Sequence, residues 1–520
     1  MTTTMLDTQQ QLDFYSALLS LDRNIILQAR AGCGKTTSII QAVIRYLAAY
    51  PNAEILIVAY NKEIADELST KLKALGIDWR RATASTIHSA AFGLCKTRFG
   101  RGIKVEENKV RDIVRSLSYK NGAPFDPESP YTIYSKQIQS LVAVAKQAGI
   151  GCFPDTAIKD NSAWSTLMAH FDINGFQCDL DRDKVIDCSR NVYTLSLANT
   201  QVLDFDDMVL FPLYYNILCL YSKDHVFVDE AQDLSRVRQA VSKKFIRPIT
   251  GRMSIIGDSA QSIYGFSGAD CEAMSNMATD LDAITLPLSL TWRCPKSIVS
   301  LVKHIVPDFE AVESAIEGEI LYTEKLDYAT LSPTDAILCR NTSPLIEIAY
   351  DLISRGIPCK VEGRKIGEGL IALVNRWKIS TTEELHTKLD ELESRETQKA
   401  LDSGDESKLG NILDKINSIR VIIETLNSQR KFLVSDVVSH IQSLFADGVR
   451  GVTTLMTYHR SKGREFDRVL LIDDAKLCPS RYAKQDWQKR QETFLWYVAC
   501  TRTKRVLTFV DRPDKKDKKG

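Results

Sequence analysis

Short apolar runs that stop abruptly in polar or acidic residues recur through the first part of the chain. Ile25-Ile26-Leu27, Ile55–Tyr60, Val226-Phe227-Val228 and Ser254–Asp258 each read as a buried strand. Helix-length segments lie between them, as from Ile39 to Leu47. That alternation predicts an α/β fold with parallel sheets, whose ligands gather at the carboxyl ends of the strands. From about Ala90 to Asn199 the strand rhythm gives way to helical patterns, broken by Gly and Pro around Asn121–Pro130 and Gly149–Pro154. A second group of strands is expected at Ala336–Cys339, Val452–Met456, Val469–Ile472 and Val506–Val510. Between its first two members runs a charged helical stretch, Thr382–Ala446. There Leu385, Leu389 and Leu392, then Ile412, Ile416, Ile419, Ile423 and Leu426, recur on one face on either side of the turn-rich Asp402–Gly410. This is the pattern of an antiparallel helical hairpin or short coiled coil.

The expected organisation is therefore two sheet domains with helical insertions. The first domain takes 1–89 and 200–306, with a helical insertion over 90–199. The second takes 307–380 and 448–512, after a linker at Pro307–Glu319, with a short helical hairpin over 381–447. A disordered tail, 513–520, follows the last strand, and no appended nuclease is expected.

Two stretches carry chemistry. Val226–Val228 delivers Asp229 and Glu230 to a strand end, where one carboxylate suits Mg²⁺ on a nucleotide and the next suits activation of water. By themselves, two acidic residues after a strand more often begin a loop or cap a helix. Ala29–Thr37 changes that balance. It reads Ala-Arg-Ala-Gly-Cys-Gly-Lys-Thr-Thr between a strand and a helix, the context of a phosphate loop. Gly32 and Gly34 let backbone N–H groups approach phosphate oxygens, with Ala31, Cys33 and Thr37 completing the loop. Lys35 reaches the β- and γ-phosphates and Thr36 offers a hydroxyl to Mg²⁺. Ala29 stands where the strict pattern has glycine.

Other candidates are weaker alone. Gln10, just upstream of the loop, suits an adenine edge. Asn61 follows the second strand. In Ala84–Ser89, read as a polar loop, Thr86 and His88 suit phosphate contact, with a helix N-cap an equal reading. Gln261 suits sensing of a γ-phosphate and positioning of water. Tyr264 and Phe266 offer rings for base stacking, although core packing is the favoured reading for Tyr264. Arg293 and Arg502 flank the second sheet and suit fingers on a γ-phosphate, against the commoner role of surface contacts.

The chain has 520 residues, 44% of them hydrophobic, enough for several cores. Lys and Arg total 67 against 66 Asp and Glu, so a basic nucleic-acid surface must be local. Twelve cysteines occur without a Cys-x-x-Cys pair, arguing against zinc and against a disulfide framework and for a reducing cytoplasm. With a polar N-terminus no signal peptide is expected, and no apolar run reaches membrane-spanning length.

Taken in order, these segments resemble the UvrD/Rep/PcrA group of superfamily 1 helicases over nearly the whole chain. Leu6–Gln10 is similar to the Q motif, Ala29–Thr36 to motif I, Ala59–Lys62 to Ia and Thr86–Ser89 to Ib. Asp229–Asp233 is similar to II, Gly257–Phe266 to III and Leu290–Arg293 to IV. Thr457–Phe466 resembles V, and Tyr497–Arg502 resembles VI. The resemblance implies two RecA-like domains holding ATP and Mg²⁺ between them. It further implies 3′→5′ movement on single-stranded DNA, with 3′-tailed duplex as substrate, by a protein that is monomeric in isolation, cytoplasmic and DNA-associated. No protein partner is indicated.

By the same resemblance Gln10 and Trp292 hold adenine and Glu465 the ribose, while Gln261, Arg293 and Arg502 contact the γ-phosphate. DNA contacts are implied for Asn61, Thr86, His88, Tyr264, Phe266, Thr457 and His459. Three departures stand out: Thr37 for an arginine beside adenine, Ile87 for phenylalanine in motif Ib, and Ser267 for the arginine after the motif III aromatic. The first implies looser base selectivity and the other two weaken DNA contacts, while the shortened second insertion favours translocation over processive unwinding. The alternative of another class is an ATP-gated switch binding DNA or protein without sustained movement.

Overall fold

The computed structural model describes residues 7–20, 22–119, 126–176, 179–265, 268–270, 272–403, 409–445, 452–473 and 478–511. The expectations for Leu6, Phe266, Ser267 and the tail 513–520 lie outside the described residues. The chain forms two compact units, Met1–Ser289 and Leu290–Gly520.

In the first unit six strands build one sheet: β1 (Ile25–Ala29), β2 (Ile55–Ala59), β3 (Ala82–Thr86), β4 (His225–Val228), β5 (Arg252–Gly257) and β6 (Ile284–Leu288). Their order is β3-β2-β4-β5-β1-β6, and every pair is parallel. Because parallel strands require crossovers, all their carboxyl ends share one rim. β2 and β4 are buried at every position, as their continuous apolar runs require. The stretch read as a polar loop at Ala84–Ser89 is corrected: it divides between edge strand β3 and a helix, Ile87–Phe99. An edge strand pairs on one side only, so Thr83, Ser85 and Thr86 sit there without the burial that an inner strand imposes.

Most of the described chain between β3 and β4 is helical, including Ser135–Ala148, Asn161–His170, Asp179–Ala198 and Phe205–Tyr214, with Lys104–Val105 paired to Val202–Leu203. Their buried Leu141, Val142, Trp164, Tyr193 and Phe211 form one cluster with Leu56, Val226, Val228, Met253 and Ile255 of the sheet. A charged knot lies within it. Lys146 Nζ is 2.5 Å from Asp204 Oδ2 and 2.7 Å from Asp207 Oδ1, and Lys109 Nζ is 2.6 Å from Asp207 Oδ2. Two ammonium groups thus face two carboxylates, and Asp204 also caps the helix Phe205–Tyr214.

The second unit has its own parallel sheet of β7 (Glu319–Thr323), β8 (Ala336–Cys339), β9 (Cys359–Val361), β10 (Thr453–Thr457), β11 (Phe466–Asp473) and β12 (Thr503–Asp511). The order is β7-β12-β11-β8-β10-β9. Part of the expected linker is structured, since Glu310–Ala311 pairs with Leu290–Thr291 and Glu319 opens β7. The charged stretch forms helices Thr382–Ser403 and Leu409–Ser428, with Leu385, Leu389, Leu392, Ile416, Ile419, Ile423 and Leu426 buried. A third helix, Val434–Leu444, follows them. Asp414 ties this group to the sheet domain, accepting from the N–H groups of Thr342 and Ser343, each at 2.9 Å, at the start of helix Thr342–Ser354. Among the described residues, no helix is long and apolar enough to cross a membrane.

Candidate functional site

The phosphate loop leaves β1 at Ala29 and enters the helix Lys35–Ala49. Gly32 at φ 71° and Gly34 at φ 80° adopt the left-handed conformation that side chains disfavour. Gly34 is the helix N-cap and has no side chain to cap the first turn, so the helix start is shaped for an anion instead. Ala31 and Cys33 are buried and anchor the loop, Thr36 is half-buried and Thr37 is exposed. This cradle fits a triphosphate.

Asp229 and Glu230 follow β4 at the same rim. Glu230 has φ 52°, a strained conformation for a residue with a side chain, costing on the order of 1 kcal/mol. That turn aims its carboxylate back at the loop, where Oε1 lies 2.6 Å from Lys35 Nζ. Burial pulls the Lys35 pKa down, but Glu230, Asp229 and Asp258 more than reverse this, and the ammonium is held above its ordinary value. Gln232 Nε2 donates to the other Glu230 oxygen. Asp229 is 4% exposed, with Oδ1 accepting from the Glu230 N–H at 2.9 Å. Among the described residues, no group of three or more His, Cys, Asp or Glu is arranged to hold a metal. Thr36 and Asp229 are the residues at this rim that could hold a Mg²⁺, an ion that commonly takes only one or two protein ligands beside phosphate and water.

Gln261 closes a short turn, Ser259–Gln261, after β5, and its Nε2 donates to Asp258 Oδ2 at 2.8 Å. Asp258 N in turn donates to Gln232 Oε1 at 3.0 Å, so the two strand ends are joined. Gln10 grips Ser289 from both ends of its amide, Nε2 to Oγ at 2.9 Å and Oε1 from N at 2.8 Å.

The candidates for nucleic-acid contact are placed differently. Asn61 caps the helix Lys62–Ala74 by accepting from Ile64 N, and Thr86 caps Ile87–Phe99 by accepting from Ser89 N. Burial, then the nearby Arg238 guanidinium, pushes the His88 imidazole down to about 4. Tyr264 is half-buried and its ring lies parallel to that of Tyr60, centroids 6.1 Å apart and planes within 12°. Tyr60 was not singled out from sequence. The signal for it was an aromatic residue at the end of an all-apolar strand, directly at the ligand rim.

In the second unit, Thr457 is buried at the end of β10 and His459 lies in the turn that follows. Burial, Arg340 and Lys462 push the His459 imidazole down to about 3. The unit also brings Arg293, Glu465 and Arg502 near one another, and Trp292 directly precedes Arg293 in the chain. Arg293 Nε donates to Glu465 Oε2 at 2.7 Å, and the Phe466 N–H donates to Arg502 O at 2.9 Å. Arg502 is 1% exposed, with its guanidinium on Val498 O, Arg464 O and Thr501 Oγ1.

Residues 8–282 match the UvrD/REP helicase N-terminal domain, and residues 368–511 match the UvrD-like helicase C-terminal domain. Among curated proteins, a probable DNA helicase II homolog of Mycoplasma capricolum is 25% identical over 310 residues, covering 56% of this chain and 40% of that protein. The ATP-dependent DNA helicase PcrA of Bacillus subtilis is 24% identical over 304 residues, 56% of this chain and 38% of that protein. The ATP-dependent DNA helicase srs2 of Schizosaccharomyces pombe is 31% identical over 119 residues, 22% of this chain and 13% of that protein. The match thus spans about two fifths of the length of the two bacterial relatives.

Proposed function

Because the chain belongs to the UvrD/REP helicase family, we propose that it hydrolyses ATP with Mg²⁺ and uses the energy to move 3′→5′ along single-stranded DNA, separating 3′-tailed duplexes. The observation that carries this reading is the 2.6 Å contact between Lys35, on the phosphate loop, and Glu230, at the neighbouring strand end. It supports the reading because the loop lysine proposed to bind phosphate and the carboxylate proposed as general base share one rim.

In this reading Lys35 and the loop N–H groups of Ala31–Thr37 hold the phosphates, and Thr36 and Asp229 hold the metal. Bound Mg²⁺ would supply charge neutralisation on the phosphate oxygens. Glu230 accepts the proton of the attacking water once Lys35 turns to phosphate. Gln261, Arg293 and Arg502 serve the γ-phosphate, Gln10 and Trp292 the adenine, and Glu465 the ribose. Asn61, Thr86, His88, Tyr264, Phe266, Thr457 and His459 are the residues assigned to DNA contact. The division into 1–89 with 200–306, 90–199, 307–380 with 448–512, and 381–447 remains our proposal for the working parts. The protein acts as a monomer, cytoplasmic and DNA-associated.

The test is ATP turnover with and without single-stranded DNA, together with strand separation on 3′-tailed, 5′-tailed and blunt duplexes. We expect 3′-tailed DNA to be the best substrate. Lys35→Ala and Glu230→Gln should both lose turnover, roughly a hundredfold or more for the base. Glu230→Gln should still bind nucleotide, since the phosphate cradle is untouched. Turnover indifferent to single-stranded DNA would favour an ATP-gated binding switch instead.

A further inference from the structure

We propose that Arg30 is a positioning residue for ATP hydrolysis, acting through Asp258 on Gln261; this rests on the functional reading above. Arg30 is the second residue of the phosphate loop, and its N–H donates to Leu288 O of β6 at 2.9 Å, which fixes its backbone. Its Nη1 lies 3.0 Å from Asp258 Oδ1, a pair with side-chain exposures of 13% and 0%. The Gln28 amide, with its oxygen turned to the guanidinium, accepts from the same Nη1 at 2.7 Å and from Ser259 N at 3.3 Å.

Asp258 thereby becomes a hub. One carboxylate oxygen takes Arg30 and the Ala260 N–H, and the other takes Gln261 Nε2 at 2.8 Å. Its own N–H reaches Gln232, which holds Glu230. A carboxylate only accepts hydrogen bonds, so it dictates which end of the Gln261 amide faces it. With Arg30 gripping one oxygen, the carboxylate cannot rotate without breaking a buried ion pair, and the Gln261 amide is held with it. Removing one partner of such a pair leaves the other charge buried alone, which is costly enough to rearrange the hub. Since Arg30 belongs to the loop that wraps the phosphates, a shift of the loop on binding triphosphate is passed to Gln261 by this route.

A merely structural Arg30 would instead support the loop and affect nucleotide binding. The two roles separate in steady-state ATP turnover by the full chain carrying Arg30→Met, Arg30→Lys, Gln261→Ala, or Arg30→Met with Gln261→Ala. Each variant is also titrated with a fluorescent ATP analogue and its thermal unfolding recorded. We expect Arg30→Met to lower kcat roughly ten- to a hundredfold, with analogue affinity unchanged and Arg30→Lys recovering part of the loss. The double variant should be no slower than Gln261→Ala, because the effect of Arg30 passes through that amide. Loss confined to KM, or losses that multiply in the double variant, would overturn the inference alone. An unaltered chain without ATP turnover would overturn the functional reading and the inference together. Should Arg30→Met not fold, Arg30→Gln takes its place under the same criteria.

Discussion

Arg293 and Glu465, separated by 172 positions, meet as an ion pair with Nε 2.7 Å from Oε2, and Lys504 Nζ approaches the same carboxylate at 3.8 Å. The residues assigned to the γ-phosphate and to the ribose are thus already partners within their own unit. Glu465 holds the guanidinium, and a phosphate would have to compete with that carboxylate for it.

The pair makes a first prediction. Glu465→Gln and Arg293→Ala should each lower ATP turnover, on the order of tenfold or more for a γ-phosphate contact. Their combination should be no worse than Arg293→Ala, as for two residues on one path. Steady-state kinetics of the four proteins provides the check, and independent, multiplying losses would separate the two roles.

Tyr60 makes a second. Its ring stacks on Tyr264 at the strand rim beside Glu230, where a base would extend the stack. Replacing Tyr60 with Ala should weaken binding of a labelled oligothymidylate by about 1–3 kcal/mol, while Tyr60→Phe retains most of the affinity. Anisotropy titration at fixed salt measures this. Equal affinity for all three proteins would remove Tyr60 from the DNA path.

Acid should act on stability through buried imidazoles. Burial lowers His88 to about 4 and His459 to about 3, and His225, enclosed among Tyr46, Phe227 and Ser254, also to about 3. In the unfolded chain each titrates near 6.5. Between these values the unfolded state binds more protons, so stability present above the unfolded pKa is lost as pH falls towards 4. Asp206, whose carboxyl is pushed up to about 6 chiefly by burial, works in the opposite direction. We expect the unfolding temperature to fall between pH 7 and pH 5, and His459→Gln to fall less steeply. DNA affinity should gain nothing from imidazole charge between pH 8 and pH 6, because His88 and His459 remain neutral there.

The knot of Lys109, Lys146, Asp204 and Asp207 predicts a severe packing variant. Asp207→Ala leaves two buried ammonium groups facing one carboxylate and should destabilise the first unit by about 3–5 kcal/mol. Denaturant unfolding followed by circular dichroism would show it as an earlier first transition. An unchanged midpoint would mean that water reaches the knot.

What the sequence disclosed follows the position of each strand in its sheet. β1, β2, β4 and β5 are inner strands built around short apolar stretches, and the same holds for β8 and for Leu455–Met456 of β10, Val469–Ile472 of β11 and Leu507–Val510 of β12. The strands that escaped notice, β3, β6, β7 and β9, are the edges of the two sheets. There Ile284–Leu288 alternates partly buried and exposed residues around Pro287, and Glu319–Thr323 is largely exposed, so neither needs an apolar signature. The candidate site divides in a similar way. Gly32, Gly34, Lys35, Asp229 and Glu230 are marked by local spacing. The bonds from Gln10 to Ser289 and from Arg30 to Asp258 join residues 279 and 228 positions apart, beyond the reach of a short motif.

The single cluster running from Val226, Val228, Met253 and Ile255 into Leu141, Trp164 and Tyr193 sets a mechanical limit. Any swing of those helices away from the sheet would uncover side chains that keep water from both, at about 25 cal/mol for each Å² of apolar surface exposed. The cluster acts as a keel: parts of the first unit that lie outside it can shift without that cost.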